Sequence, residues 1–145
     1  MKALIQRVTR ASVEVDGVVI GKIDQGLLLF LGVEKHDDAQ VAEKMLGKVL
    51  GYRVFENNVG RMELSLSDTN GGLLVVSQFT LVADTKKGKR PSFSTAAPPT
   101  LGKAIYDDFL LRAKASHADV QSGRFGADMQ VDLVNDGPVT FMLEL

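Results

Sequence analysis

The chain has 145 residues, a formal charge of −1, 45% hydrophobic and 24% charged residues. Those are the proportions of a globular domain large enough to bury a core unaided, and they exclude disordered, collagenous and coiled-coil architectures. It has no cysteine, which removes disulfides, thiolate metal sites and cysteine nucleophiles, and its near-neutral charge means that any nucleic-acid contact has to come from a local patch.

The opening Met1-Lys2-Ala3-Leu4-Ile5-Gln6-Arg7 interrupts a short apolar patch with Gln and Arg. It does not read as a signal peptide, and no apolar run is long enough for a membrane span, so a cytoplasmic chain without a membrane partner is expected. Val13 and Val15, then Val18 and Ile20, alternate around Asp16-Gly17. This predicts a hairpin with a type I′ turn. Leu27 to Leu31 is continuously apolar between Gly26 and Gly32, the pattern of a central strand buried on both faces. Asp37 to Leu50 reads as a helix, with Asp37 and Gln40 as a capping box and Val41, Met45 and Val49 on its buried stripe. Tyr52 to Phe55 is expected as a strand and Glu56 to Gly60 as a turn.

Leu73 to Val76 predicts a buried strand that turns polar at Ser77. Residues 83–99 read as a loop, and a second helix is expected after Thr100, with Leu101, Ile105 and Phe109 inward. Met129, Val131 and Leu133 alternate in a strand, Asn135 to Pro138 reads as a turn, and Val139 to Leu145 as a last strand. Two main helices with roughly seven or eight strands predict a single α/β domain over residues 1–145, with a strongly curved, barrel-like sheet.

His36 and His117 are the only histidines. Both sit in polar surroundings without a second His at ligand spacing, so each is expected to be solvated near a helix end, and histidine chemistry is not expected to drive an activity. Three segments carry chemistry instead. Ser77-Gln78-Phe79-Thr80 places hydroxyls, an amide and backbone N–H groups at the end of a buried strand. Capping the strand accounts for them, and so does a site that holds an oxyanion without a strong base. Asn135-Asp136-Gly137-Pro138-Val139-Thr140 is explained by turn chemistry alone; a cis Gly137–Pro138 bond would be rigid. Lys86-Lys87-Gly88-Lys89-Arg90 fits a solvated loop or a phosphate-contacting one, and Phe125, between Gly123 and Gly126, fits a core ring or a base-stacking one.

Ser77 to Thr80 and Asn135 to Thr140 are similar to the two signature motifs of the D-aminoacyl-tRNA deacylases of the D-tyrosyl-tRNA deacylase type. The resemblance extends through Met1 to Val8, Arg90-Pro91-Ser92-Phe93-Ser94 and Gly123 to Leu133, and so covers the chain end to end. It implies a homodimer that hydrolyses the ester of D-aminoacyl-tRNA, a chiral proofreading step in translation, with tRNA as partner, no DNA, and no metal or organic cofactor. It further implies a catalytic pocket lined by Ser77, Gln78, Phe79 and Thr80 and a cis Gly137–Pro138 that reaches into the partner's pocket. Arg7 would hold that turn, and Phe125 and Met129 would lie near the terminal adenosine.

An activated ester asks for positioning and oxyanion stabilisation more than for a powerful nucleophile, which suits this composition. Backbone N–H groups near Phe79 and Thr80 would take the developing charge; Thr80 as covalent nucleophile is the rival, ranked second because no base is visibly placed beside it. A rigid main-chain wall at Gly137 and Pro138 would reject every L side chain while accepting D residues and glycine. Lys86, Lys87, Lys89 and Arg90 would meet the tRNA backbone. Two other readings stand beside this one: a non-catalytic RNA-binding module, and a small-molecule esterase, which the missing G-x-S-x-G elbow disfavours.

Overall fold

Alternation and turn chemistry build the first half of the sheet in a computed structural model that describes residues 1–145. Strand β1 (Lys2–Val15) turns through Asp16 and Gly17, at φ 51° and 78°, into β2 (Val18–Ile23). Both residues lie in the left-handed region that a type I′ turn requires. Strand β3 (Gly26–Gly32) returns along β1, and helix α1 (Ala39–Gly51) follows. The short strands β4 (Phe55–Glu56) and β5 (Met62–Leu64) form a separate ribbon, and a one-turn helix α2 (Leu66–Thr69) precedes β6 (Gly72–Ser77). A 3-10 turn (Phe79–Val82), helix α3 (Pro99–Ser116), strand β7 (Val120–Ser122) and strand β8 (Gln130–Glu144) complete the chain.

The main sheet runs β2-β1-β3-β6-β7, with β8 on the other edge of β1. The length of β1 is what curves it. Its first half pairs antiparallel with β3 and its second half with β2, while β8 follows nearly all of the opposite edge. The β3–β6 and β6–β7 pairs are parallel. The twist of β1 carries β2 over the inner face of β6 and β7, close enough that a Cβ on Gly21 would stand 2.9 Å from the Ser122 carbonyl oxygen. The result is the nearly closed, barrel-like α/β sheet expected.

Two apolar clusters follow from this curl. Leu27, Leu29, Leu73 and Val75 point toward Met45 and Val49 of α1 and Ile105 and Phe109 of α3. Leu28, Leu74 and Val76 point the other way, into a smaller core with Val8, Val13 and Ile23. Strands buried on both faces explain the unbroken apolar runs, and full burial of each such side chain stabilises the fold by roughly 1.5–3 kcal/mol.

Several local expectations are corrected. Asp38, not Asp37, caps α1 by accepting from the Val41 N–H at 2.9 Å. Asp37 instead accepts from the Met1 ammonium at 2.9 Å and the Glu34 N–H at 2.7 Å. The strand expected from Tyr52 begins only at Phe55. Helix α2, which the sequence reading lacks, has its own capping box between Ser65 and Asp68. His117 is not solvated; it is buried at the end of α3, with Nε2 2.6 Å from the Gly71 carbonyl oxygen. Asn135 to Pro138 does not reverse the chain. Asn135 pairs with Val8 and Thr140 with Gln6 of β1, so the residues between them form an outward bulge within one continuous strand.

Candidate active site

The polar residues after Val76 are where β6 stops being buried. Gln78 keeps its N–H on the Leu31 carbonyl at 2.9 Å, and the chain then leaves the sheet as the 3-10 turn. Ser77 and Gln78 are half-buried, whereas Phe79 and Thr80 are exposed. The Gln78 side-chain amide donates to the Thr80 hydroxyl, which ties the ends of the motif together. The N–H groups of Phe79 and Thr80 open the turn, so neither has an acceptor within it.

These residues border a cleft of about 740 Å³. Its base is apolar, with Leu31, Val33 and Val76. Phe79 and Phe93 form one side, their ring centroids 5.2 Å apart. Tyr106, Phe125 and Met129 form the other, with Tyr106 and Phe125 centroids 5.7 Å apart. The Tyr106 hydroxyl donates to the Val75 carbonyl at 3.1 Å, and burial pushes its phenol well above the ordinary range. Pro98 and Pro99 line the lip where α3 begins; proline at the first helical position needs no N–H there.

A second group of predicted residues assembles elsewhere. The β8 bulge is pinned at its neck by Asn135, whose side-chain amide donates to the carbonyls of Arg7 at 2.9 Å and Val139 at 3.0 Å. Arg7 is buried; its Nε donates to the Asp136 carbonyl at 2.9 Å and its Nη1 to the Val54 carbonyl at 2.7 Å. The Gly137–Pro138 peptide bond is cis, and both residues are exposed. Neither they nor Arg7 border the cleft of their own chain.

The structure therefore brings Ser77, Gln78, Phe79, Phe125 and Met129 to one cleft, with Thr80 held to it through Gln78. Gly137 and Pro138 form a separate exposed corner, held from beneath by the buried Arg7. Lys86, Lys87, Lys89 and Arg90 lie on the exposed loop after the 3-10 turn and do not border the cleft. The sequence reading missed Phe93 and Tyr106. Tyr106 carries a helical signal that was available, since Gly102, Tyr106, Phe109 and Ala113 are buried at helical spacing in α3.

Comparison with known proteins places the chain in a family. The family model for D-Tyr-tRNA(Tyr) deacylase matches residues 4–144. The chain belongs to that family. A D-aminoacyl-tRNA deacylase of Pseudomonas putida is 63% identical over 145 residues, covering 100% of both chains. One from Teredinibacter turnerae is 59% identical over 144 residues, covering 99% of both. A solved c-Myc DNA unwinding element binding protein is 40% identical, covers 100% of this chain and 99% of its own, and superposes with a TM-score of 0.95. A probable eukaryotic D-amino acid tRNA deacylase, 17% identical, shares the fold with a TM-score of 0.86 over 99% of this chain and 98% of its own. The deacylase is thus a hydrolase acting on aminoacyl-tRNA. None of its helices is long and apolar enough to cross a membrane.

Proposed function

We propose that this D-aminoacyl-tRNA deacylase holds the 3′-terminal aminoacyl adenosine in the cleft and tells D from L with main chain supplied by a second copy of itself. The observation that carries the reading is the separation of the two signature segments. Ser77 to Thr80 edge the cleft, whereas Gly137 and Pro138 stand exposed on a bulge outside it. A homodimer in which each bulge enters the other's cleft unites them.

Phe125 and Met129 then lie against the adenine, and Ser77 and Gln78 face the ester. Water attacks the ester carbonyl carbon, forming a new C–O bond and a tetrahedral oxyanion. The N–H groups of Phe79 and Thr80 stabilise that charge. The bond to the ribose oxygen breaks, the water proton passes to that oxygen, and the neighbouring ribose hydroxyl assists. Positioning of an already activated ester supplies much of the rate, so no imidazole is required. Thr80 acts through its backbone and through the Gln78 contact, not as a covalent nucleophile.

With the ammonium and carbonyl fixed, an L side chain would point into the Gly137–Pro138 main chain and a D side chain away from it. Glycine has nothing to clash, so glycyl-tRNA, including tRNA(Ala) mischarged with glycine, is accepted. Lys86, Lys87, Lys89 and Arg90 meet tRNA phosphates. Deacylation of matched D- and L-tyrosyl-tRNA over a dilution series tests the reading. The expected result is hydrolysis of the D form alone, with specific activity falling as dimers dissociate. Constant specific activity in monomer would overturn the shared site, and binding without turnover would reduce the protein to an RNA-binding module.

A further inference from the structure

A second, polar pocket of about 310 Å³ lies beside the cleft. It draws Lys2 from the start of β1, Lys35 and His36 from the loop after β3, and Lys86 from the loop after the 3-10 turn. The two cavities share a wall. Val33 and Ala96 line the cleft, and their chain neighbours Glu34 and Thr95 line the polar pocket. Backbone bonds of 3.0 Å from the Lys35 N–H to the Thr95 carbonyl and from the Ala97 N–H to the Val33 carbonyl hold that wall together. The Thr95 hydroxyl donates to the Val82 carbonyl and joins the wall to the 3-10 turn that carries Phe79.

Two carboxylates also border the pocket; Glu34 is paired with an ammonium, whereas Asp84 holds only a backbone N–H and keeps its charge. Glu34 accepts from the Met1 ammonium at 3.2 Å, and Asp84 accepts from the Lys86 N–H at 2.9 Å. Lys2 sits 3.9 Å from Glu144. The salt bridges of the chain involve neither Lys35 nor Lys86, so both ammonium groups are free to meet an anion.

We infer that this pocket receives the backbone phosphates of the single-stranded nucleotides adjoining the terminal adenosine, with Lys35 and Lys86 as their contacts. The inference rests on the reading that the cleft holds that adenosine, and it fixes the direction in which the tRNA leaves: across residues 33–35 and 95–97. It adds Lys35, far in sequence from the Lys86 to Arg90 run, to the RNA-binding surface.

The test compares D-tyrosyl-tRNA with D-tyrosyl-adenosine, which has the same reacting ester but no phosphate, on the wild type, Lys35→Gln and Lys35→Gln/Lys86→Gln. Removing one lysine–phosphate pair from a single-stranded site lowers the salt slope by about 0.7. Raising salt from about 50 to about 200 mM should therefore cost the double variant about sevenfold less kcat/KM on tRNA than it costs the wild type. The deficit of the variants at low salt should appear on D-tyrosyl-tRNA and not on D-tyrosyl-adenosine. An unchanged salt slope, or an equal loss on both substrates, would overturn the assignment. A wild type inert toward D-tyrosyl-adenosine would instead count against the cleft reading, and the salt slopes on tRNA would still decide the pocket.

Discussion

Arg7 is the most informative single perturbation, because one buried side chain ties the β8 bulge to the body of the protein. Its Nε bond to the Asp136 carbonyl is 2.9 Å and its Nη1 bond to the Val54 carbonyl is 2.7 Å. Arg7→Met keeps most of the apolar stem and removes both donors. Hydrogen bonds from a charged donor are each worth about 1.5–3 kcal/mol, so the loss of two should be about 3–6 kcal/mol. The Arg7–Asp136 ion pair at 3.3 Å adds little, since the Asp136 side chain is 42% exposed. In a domain of this size such a loss lowers Tm by roughly 10–20 °C. Urea unfolding of wild type, Arg7→Met and Arg7→Lys measures it; the lysine, which cannot reach both carbonyls at once, should fall between the others. On the proposed shared site, deacylation of D-tyrosyl-tRNA, assayed well below the lowered Tm, should still be depressed, because a loosened bulge would no longer enter a second copy's cleft in register. An Arg7→Met protein within about 1 kcal/mol of wild type and fully active would refute both the energetic reasoning and the role of the bulge.

Other substitutions test separate parts of the structure. In Gly26→Ala the new Cβ runs into the Gly72 carbonyl, whose carbon would lie 2.7 Å away, and should destabilise the β3–β6 pair by about 3 kcal/mol in urea unfolding. Gly47→Ala, in α1 with nothing within 4 Å of the added carbon, should stabilise by about 0.5–1 kcal/mol. Asp68 is held below the usual carboxylate range first by the Ser65 backbone N–H and then by the Ser65 hydroxyl. Its contribution is therefore present above the unfolded-state pKa and is lost as pH falls through the lower folded-state value, so Asp68→Asn should flatten the acid limb of a stability–pH profile and leave its alkaline limb unchanged. Thr80→Ala keeps the backbone N–H and should retain kcat within about tenfold, whereas removal of a covalent nucleophile would cost far more than the 10²–10³ typical of one oxyanion donor.

Much of the fold was legible because its signals are local. The Asp16-Gly17 turn, the glycine-bounded β3 and the stripe of α1 follow from turn chemistry and periodicity. The curl of the sheet was legible only as a class, since it depends on β1 being long enough to pair with β3 and β2 in succession on one edge. Asn135 to Pro138 shows the limit most clearly. Its composition is that of a turn, and only the pairing of β1 with both flanks makes it a bulge in one strand. Asp37 and Asp38 are both competent caps, and the choice between them is made by the distant Met1 ammonium. At the site, the two motifs were legible as motifs, but their separation within one chain was implied only by the family resemblance and not by the residues themselves. Phe93 reaches the cleft from a loop without a signature in one dimension, whereas Tyr106 sits on a helix stripe whose spacing shows burial but not the cleft it faces.

Glycyl-tRNA and L-alanyl-tRNA differ by one methyl group, and their relative rates test the exclusion of L residues by main chain most directly. A wall at Gly137 and Pro138 predicts that wild-type enzyme hydrolyses the glycyl ester at a rate approaching that of D-alanyl-tRNA and leaves L-alanyl-tRNA intact. Hydrolysis of both, or refusal of both, would contradict it.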